Sequence, residues 1–396
     1  MSKATIDDID VGGKRVLLRV DFNVPIRDSE IIDDRRIRAA LPTIESLRSR
    51  GARVILVTHL GRPKGRPDES LRVGPVATRL SELLGVRVPV ADDVAGESAR
   101  SLVAGLRDGD VCMLENVRFE PGEEANDPTF AKQLAELADV YVNDAFGTAH
   151  RAHASTEAVA HLLPGVAGKL MHAELRTLGD ALEDPRRPFV AIIGGAKIST
   201  KIKVLENLRE RVDTIWIGGA MACTFLRALG EETGTSLVEE EQIETARRLL
   251  SDERGGRIKL PIDAVVATRA AADAESRVVR IDALPAEAMM LDIGPDTCSA
   301  ITRDSGDAGT VLWNGPLGVY EIPAFAEGTR CVARALAASH AETIVGGGDL
   351  AAALQEAGIA DGITHISTGG GATIEFLEGA TLPGVAALRD REAIVQ

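Results

Sequence analysis

Short runs of β-branched and aliphatic residues each open into a loop of distinctive chemistry. Four such runs, at 16–20, 54–57, 111–114 and 140–142, lie in the first half, and five more, at 189–193, 214–217, 311–313, 343–345 and 365–366, lie in the second. Longer stretches of helical period separate them, for instance 36–50 and 129–137. A strand that is apolar on both faces must be covered on both faces, so runs of this kind alternating with helices predict parallel sheets flanked by helices. The chain has 396 residues, more than one hydrophobic core usually supports, and two α/β lobes are expected.

The segment 178–188 reads LGDALEDPRRP, a charged helix end followed by two prolines, and predicts the linker. The first domain is then 1–178 and the second 187–382. The tail 383–396 carries its own turn and apolar residues and is expected to pack back on the first domain.

Hydrophobic content of 45% and charged content of 27% suit a soluble globular protein. A net charge of −15 disfavours nucleic acid and anionic membranes as partners. No apolar run approaches the ~20 residues that span a bilayer, and the first residues contain nothing like a signal peptide, so the cytoplasm is expected. Cys112, Cys223, Cys298 and Cys331 are scattered without a C-x-x-C pair. This spacing predicts reduced thiols and neither a zinc site nor a disulfide framework.

The loops after the strands differ between halves. In the first they are polar and basic: RVDFNVP, THLGRPKGRP, LENVRFEPGE and NDAFGTAHRAH. In the second they are glycine-rich: IIGGAKIST, IGGAMA, WNGPLGVYE, VGGGDL and STGGGAT. Ligands of open parallel sheets bind beyond the carboxyl ends of the strands. One half thus looks equipped to hold a small anion with side chains, the other a phosphate-bearing ligand with bare backbone.

Within the basic loops, Asp21 and Asn23 bracket Phe22 just after a strand, so both side chains can address one hydroxyl. Arg36, Arg62, Arg118 and Arg151 lie at strand-end loops, where guanidinium forks bind phosphate or carboxylate bidentately. His59 and His150 have no accompanying nucleophile motif, which makes them binding groups rather than general bases.

In the second half, Gly194 and Gly195 precede Lys197 and Lys201, which open a helix expected over 199–211. Four residues apart, the two lysines can point to one side and attract an anion, or be an ordinary solvated pair. Gly346, Gly348 and Ala351 fit G-x-G-x-x-A, but the acidic residue expected about 20 positions on is missing. Asp349 would repel a bare pyrophosphate and suggests an intervening Mg²⁺, or else it caps the helix. The run from Ser367 to Gly371 offers a second backbone cradle or a tight turn. Glu321 is placed to bond a ribose hydroxyl, or is a surface acid. No Walker A sequence and no G-x-S-x-G elbow occur.

RVDFNVP, HLGRP, LENVRF, DAFGTAHRAH, GGAK, WNGPLGVYE, GGGD and STGGGA, in this order from Val16 to Leu388, make the chain resemble the phosphoglycerate kinase family. The resemblance implies two Rossmann-like lobes joined by a hinge, acting as a monomer. It implies direct in-line phosphoryl transfer between 1,3-bisphosphoglycerate and ADP, yielding 3-phosphoglycerate and ATP, with Mg²⁺. On matching positions, Asp21, Asn23, Arg36, His59, Arg62, Arg118 and Arg151 resemble the triose-acid site. Lys197, Lys201, Gly294, Asn314, Glu321 and Gly346, Gly347, Gly348, Asp349 and Leu350 resemble the nucleotide site, with Asp349 at the metal. Arg36, Lys197, Gly347 and Gly370 resemble the groups that stabilise the moving phosphoryl group. Leu350 departs from the usual Ser or Thr, and Ala154-Ser155 stands where a serine pair is common. A nicotinamide-dependent hydroxy-acid dehydrogenase and a non-catalytic nucleotide-binding scaffold are the alternatives.

Overall fold

The computed structural model describes residues 3–28, 30–251 and 255–393. The chain divides into two compact units, Met1–Arg176 with Thr381–Gln396, and Thr177–Ala380.

The first unit is built on β1 (Arg15–Arg19), β2 (Arg53–Val57), β3 (Val111–Met113), β4 (Val140–Asn143) and β5 (Gly165–Ala167). They form one parallel sheet in the order β3-β2-β1-β4-β5. Almost every strand residue is buried, as near-continuous apolar runs require. The covering helix Arg35–Ser49 shows why: it buries Ile37, Ala40, Ile44 and Leu47, a three-four-three spacing that makes one apolar stripe. Each large aliphatic side chain so buried contributes about 1.5–3 kcal/mol. The last residues return to this unit, where Gly384 N–H donates to Ala149 O at 2.8 Å and Lys3 pairs with Asp390 at 2.8 Å.

The second unit holds β6 (Phe189–Ile193), β7 (Thr214–Ile217), β8 (Ile258–Lys259), β9 (Asp263–Ala267), β10 (Arg277–Arg280), β11 (Met289–Ile293), β12 (Thr310–Asn314), β13 (Glu342–Gly346) and β14 (His365–Ile366). Six of these make a parallel sheet in the order β8-β7-β6-β12-β13-β14. In both sheets the order reverses beside the first strand, which opens a crevice at the carboxyl ends there. That crevice falls between β1 and β4 in one unit and between β6 and β12 in the other.

All nine strands expected from the sequence are present, within a residue or two at each end. Three features differ. A separate antiparallel sheet, β10-β9-β11, interrupts the parallel pattern; β10 is largely exposed, and so lacks the apolar signature. Helix Lys169–Glu183 runs through much of the segment expected as a linker, because Leu178 and Ala181 stay buried and extend its apolar stripe. The third concerns cysteine. Cys298 and Cys331 are disulfide-bonded, with Cα atoms 6.5 Å apart, and only Cys112 and Cys223 are free. Helices Pro295–Gly306 and Glu327–Ala337 pack together and bring the two sulfurs within reach, which no spacing along the chain could reveal. Among the described residues no group of three or more His, Cys, Asp or Glu could hold a metal, and no helix is long and apolar enough to cross a membrane.

Candidate active site

Beyond the carboxyl end of β1 the chain delivers Asp21 and Asn23, and the groups around them come from helix Arg35–Ser49 and the loops after β2, β3 and β4. Arg36, in the first turn of Arg35–Ser49, donates to Asp21 Oδ2 at 2.8 Å and lies 3.4 Å from Asn23 O. Asn23 Oδ1 accepts from Gly61 N at 2.9 Å, which ties the β1 loop to the loop after β2. That second loop carries His59, only 3% exposed, and the exposed Arg62. Arg118, after β3, donates to Gly61 O at 2.8 Å and pairs with Glu124 at 3.1 Å. Arg151 Nε donates to His150 Nε2 at 3.1 Å.

These groups form an electropositive patch. Burial, and then the guanidiniums of Arg19, Arg118, Arg36 and Arg151, hold the His59 imidazole well below its ordinary pKa. His153 is pushed down to about 4, first by burial and then by Arg118, Arg19 and Arg151. A neutral imidazole beside several guanidiniums leaves the arginines as the permanent charges.

Sequence reasoning missed the support beneath this patch. Arg19, at the end of β1, is fully buried; its Nε donates to Ser155 Oγ at 2.8 Å, and Nη1 donates to Val20 O. Ser155 in turn donates to Glu123 through N at 2.9 Å and Oγ at 2.7 Å. Glu123 is buried, which raises its pKa despite the nearby Arg19. The signal available was an arginine inside an otherwise apolar strand run, RVLLRV.

In the second unit the glycine turns meet backbone to backbone. A Cβ on Gly194 would lie 2.1 Å from Pro316 O and 2.7 Å from Gly315 O, so only glycine lets these two turns close. Beside them lies a cavity of about 550 Å³. Its wall mixes Leu237, Met290, Leu291 and Val319 with Gly195, Gly219, Glu321 and Asp349. This is an ordinary size and composition for a small-molecule site.

Asp349 is exposed, in the first turn of helix Gly348–Glu356, and no side-chain hydrogen bond caps that helix. The capping alternative for Asp349 thus has no geometric support. Asp349 and Glu321 both raise the Tyr320 pKa, after burial, so the acidic rim is shared. Leu350 is fully buried, so the residue that stands where Ser or Thr is usual presents no exposed group to a ligand. Gly347 and Gly370 both precede helices at positive φ, +104° and +51°.

The helix expected over 199–211 begins later than the pattern suggests. Residues Ile198–Thr200 form a tighter turn, held by Ser199 donating to Glu239 and Thr200 Oγ1 to Lys197 O, and the α-helix is Ile202–Leu208. The two lysines consequently separate. Lys197 is exposed, whereas Lys201 is 8% exposed and donates to Asn314 Oδ1. Burial brings Lys201 down to about 8. Asn314 Nδ2 stands against Gly346 and Gly347 and has no hydrogen-bond partner among the described residues. Gly294 is packed against the Asp263 carboxylate and is not among the cavity-lining residues.

An α/β chain with arginine-lined strand ends in one unit and glycine-lined strand ends around a cavity in the other has the equipment of a phosphotransferase. A family model for phosphoglycerate kinase matches residues 6–380. The phosphoglycerate kinases of Pelotomaculum thermopropionicum and Moorella thermoacetica are 58% and 57% identical over 393 residues, covering 99% of this chain and 100% of each relative. Among solved structures, phosphoglycerate kinase from Coxiella burnetii matches with a TM-score of 0.89 at 41% identity, covering 97% of this chain and 98% of that one. The enzyme from Pyrococcus horikoshii gives 0.87 at 35% identity, covering 99% and 100%. The chain belongs to the phosphoglycerate kinase family.

Proposed function

We propose that this chain transfers a phosphoryl group reversibly and in line from the acyl phosphate of 1,3-bisphosphoglycerate to ADP, giving 3-phosphoglycerate and ATP without a phosphoenzyme. The observation that carries the reading is the gathering of Arg36, Arg118, Arg151 and the neutral His59 around Asp21 and Asn23. Guanidiniums grip carboxylate and phosphate, and Asp21 with Asn23 suits a hydroxyl. Residues 1–178 with 383–396 hold the triose acid, with Arg62 closing the set. Residues 187–382 hold the nucleotide. Its base occupies the apolar cavity wall, Glu321 bonds the ribose, and Lys201, Asn314 and the amides of Gly346, Gly347 and Gly348 address phosphate.

Phosphoryl transfer needs alignment and charge neutralisation more than covalent chemistry. Arg36 from the acid side and Lys197 with the amides near Gly347 and Gly370 stabilise charge on the moving group. Mg²⁺ fits the acidic rim, since Asp349 offers an exposed, hard oxygen donor not consumed in capping. Held there with phosphate oxygens, it would supply further charge neutralisation. The broken dinucleotide fingerprint leaves the dehydrogenase alternative without support. The intact Arg36, Lys197 and Asp349 do the same for an inert scaffold.

The chain is taken to act as a cytoplasmic monomer on small molecules. The test is ATP formation from ADP and 1,3-bisphosphoglycerate, with and without Mg²⁺, beside an NAD titration. Mg²⁺-dependent ATP formation that Arg36→Ala cuts by roughly a hundredfold or more is expected. NAD binding without ATP formation would refute the proposal.

A further inference from the structure

In the triose-acid site proposed for the first unit, His59 is a ligand-binding group, and its finer role depends on that assignment. The surroundings of the ring define that role. Nδ1 of His59 lies 3.3 Å from Nη2 of Arg19. A guanidinium has only donors and does not lose its proton in proteins. A hydrogen bond at that distance therefore requires Nδ1 to be the acceptor, and the ring proton to sit on the other nitrogen. Arg19 cannot swing away easily, because Ser155 Oγ and Val20 O hold its other nitrogens in a fully buried site.

One group competes. Asp21 Oδ1 is 3.8 Å from the same Nδ1, and a carboxylate there would favour a proton on Nδ1. That distance is beyond a hydrogen bond, and Asp21 is already engaged by Arg36 at 2.8 Å through Oδ2. The charged groups around the ring are thus Arg19 and Asp21 from the β1 end, Arg36 from helix Arg35–Ser49, and Arg118 and Arg151 from the loops after β3 and β4. Four cations against one carboxylate make a further positive charge on the imidazole unfavourable.

We infer that Arg19 is a positioning residue: by donating to Nδ1 it keeps His59 as the Nε2–H tautomer, so that the ring meets the triose acid as a neutral hydrogen-bond donor. The arginines supply the charge, and His59 supplies direction at an anionic oxygen. Among the described residues no protein acceptor meets Nε2, which leaves that N–H to a ligand.

The experiment uses the full chain labelled with ¹⁵N-histidine, which has only seven histidines to resolve. Two-bond ¹H–¹⁵N spectra separate the two neutral tautomers and the cation. The His59 signals are assigned by their loss in His59→Gln, with the remaining histidines reporting that the variant is folded. The expected result is a protonated Nε2 and bare Nδ1 that do not titrate between about pH 5.5 and 8. Addition of 3-phosphoglycerate should then shift the Nε2 resonance.

A glutamine amide nitrogen superposes on Nε2 and an asparagine one on Nδ1. His59→Gln should therefore keep KM for 3-phosphoglycerate within a few-fold of wild type, while His59→Asn raises it about tenfold or more. A protonated Nδ1, a cationic ring in this pH range, or a better Asn than Gln variant would overturn the inference. If the tautomer is as stated but the acid leaves Nε2 unshifted, it is the binding role of His59 that fails instead.

Discussion

Replacing Lys201 by methionine should stabilise the ligand-free chain while removing its hold on nucleotide phosphate. Burial lowers the Lys201 pKa from 10.5 to about 8. A base with a depressed folded pKa binds its proton less well when folded than when unfolded. Between pH 8 and 10.5 the unfolded chain therefore carries the extra proton, and stability rises with pH across that window. Below it, at pH 7, the full penalty applies. That depression corresponds to roughly 3 kcal/mol.

Methionine keeps the buried stem and removes the charge, but it leaves Asn314 Oδ1 without its donor, which costs about 1–2 kcal/mol. The net expectation is a gain of roughly 1–2 kcal/mol, or about 2–8 °C in Tm. The assay is a pair of thermal melts at pH 7, with and without ADP. The variant should melt higher than wild type alone, and the ADP-induced rise in Tm should disappear. A variant that melts lower and still responds fully to ADP would refute both the charge penalty and the phosphate role. On the proposed assignment, the buried cation's cost in the free protein is offset when nucleotide phosphate binds.

Lys197→Ala should lower kcat by roughly a hundredfold or more while nucleotide Kd, measured by titration, changes little; equal losses in both would remove Lys197 from the transferring group. Gly194→Ala forces a Cβ to 2.1 Å from Pro316 O, a backbone atom with nowhere to go, and should destabilise by about 1–3 kcal/mol and abolish most activity; a wild-type melt would contradict the packing. Cys298→Ser opens a crosslink between residues 33 apart and should cost about 2–4 kcal/mol in a non-reducing melt, the same loss that dithiothreitol produces in the wild type. No change in either would mean that the two thiols are not joined in solution.

The local code was legible where one face of the chemistry lies along the chain. Strand runs such as 189–193 are apolar on both faces, and nothing but a covered parallel strand accommodates that pattern. The β10 strand, with arginines at both ends and mostly exposed, has no such pattern, and its pairing with β9 is invisible in the sequence. Loops were legible for a related reason: Asp21, Asn23 and His59 sit at strand ends, which converge in a parallel sheet, whereas Arg36 reaches them from the first turn of helix Arg35–Ser49. The burial of Lys201 beside an exposed Lys197 was not legible, because it depends on Glu239 drawing Ser199 into a tight turn 40 residues away in sequence.

The set of strands, the side of each sheet on which polar groups appear, and the division into basic and glycine-lined halves follow from the order of the amino acids alone. Each is a property of consecutive residues and of steric limits on the backbone. Partnership is settled only on folding: Arg19 with His59, Ser155 with Glu123, Lys201 with Asn314, Cys298 with Cys331. These pairs join residues from 32 to 136 positions apart once the ladder of Arg19 and Ser155 is included. Their energies arise from burial and proximity, and neither exists until the sheets have closed over their cores.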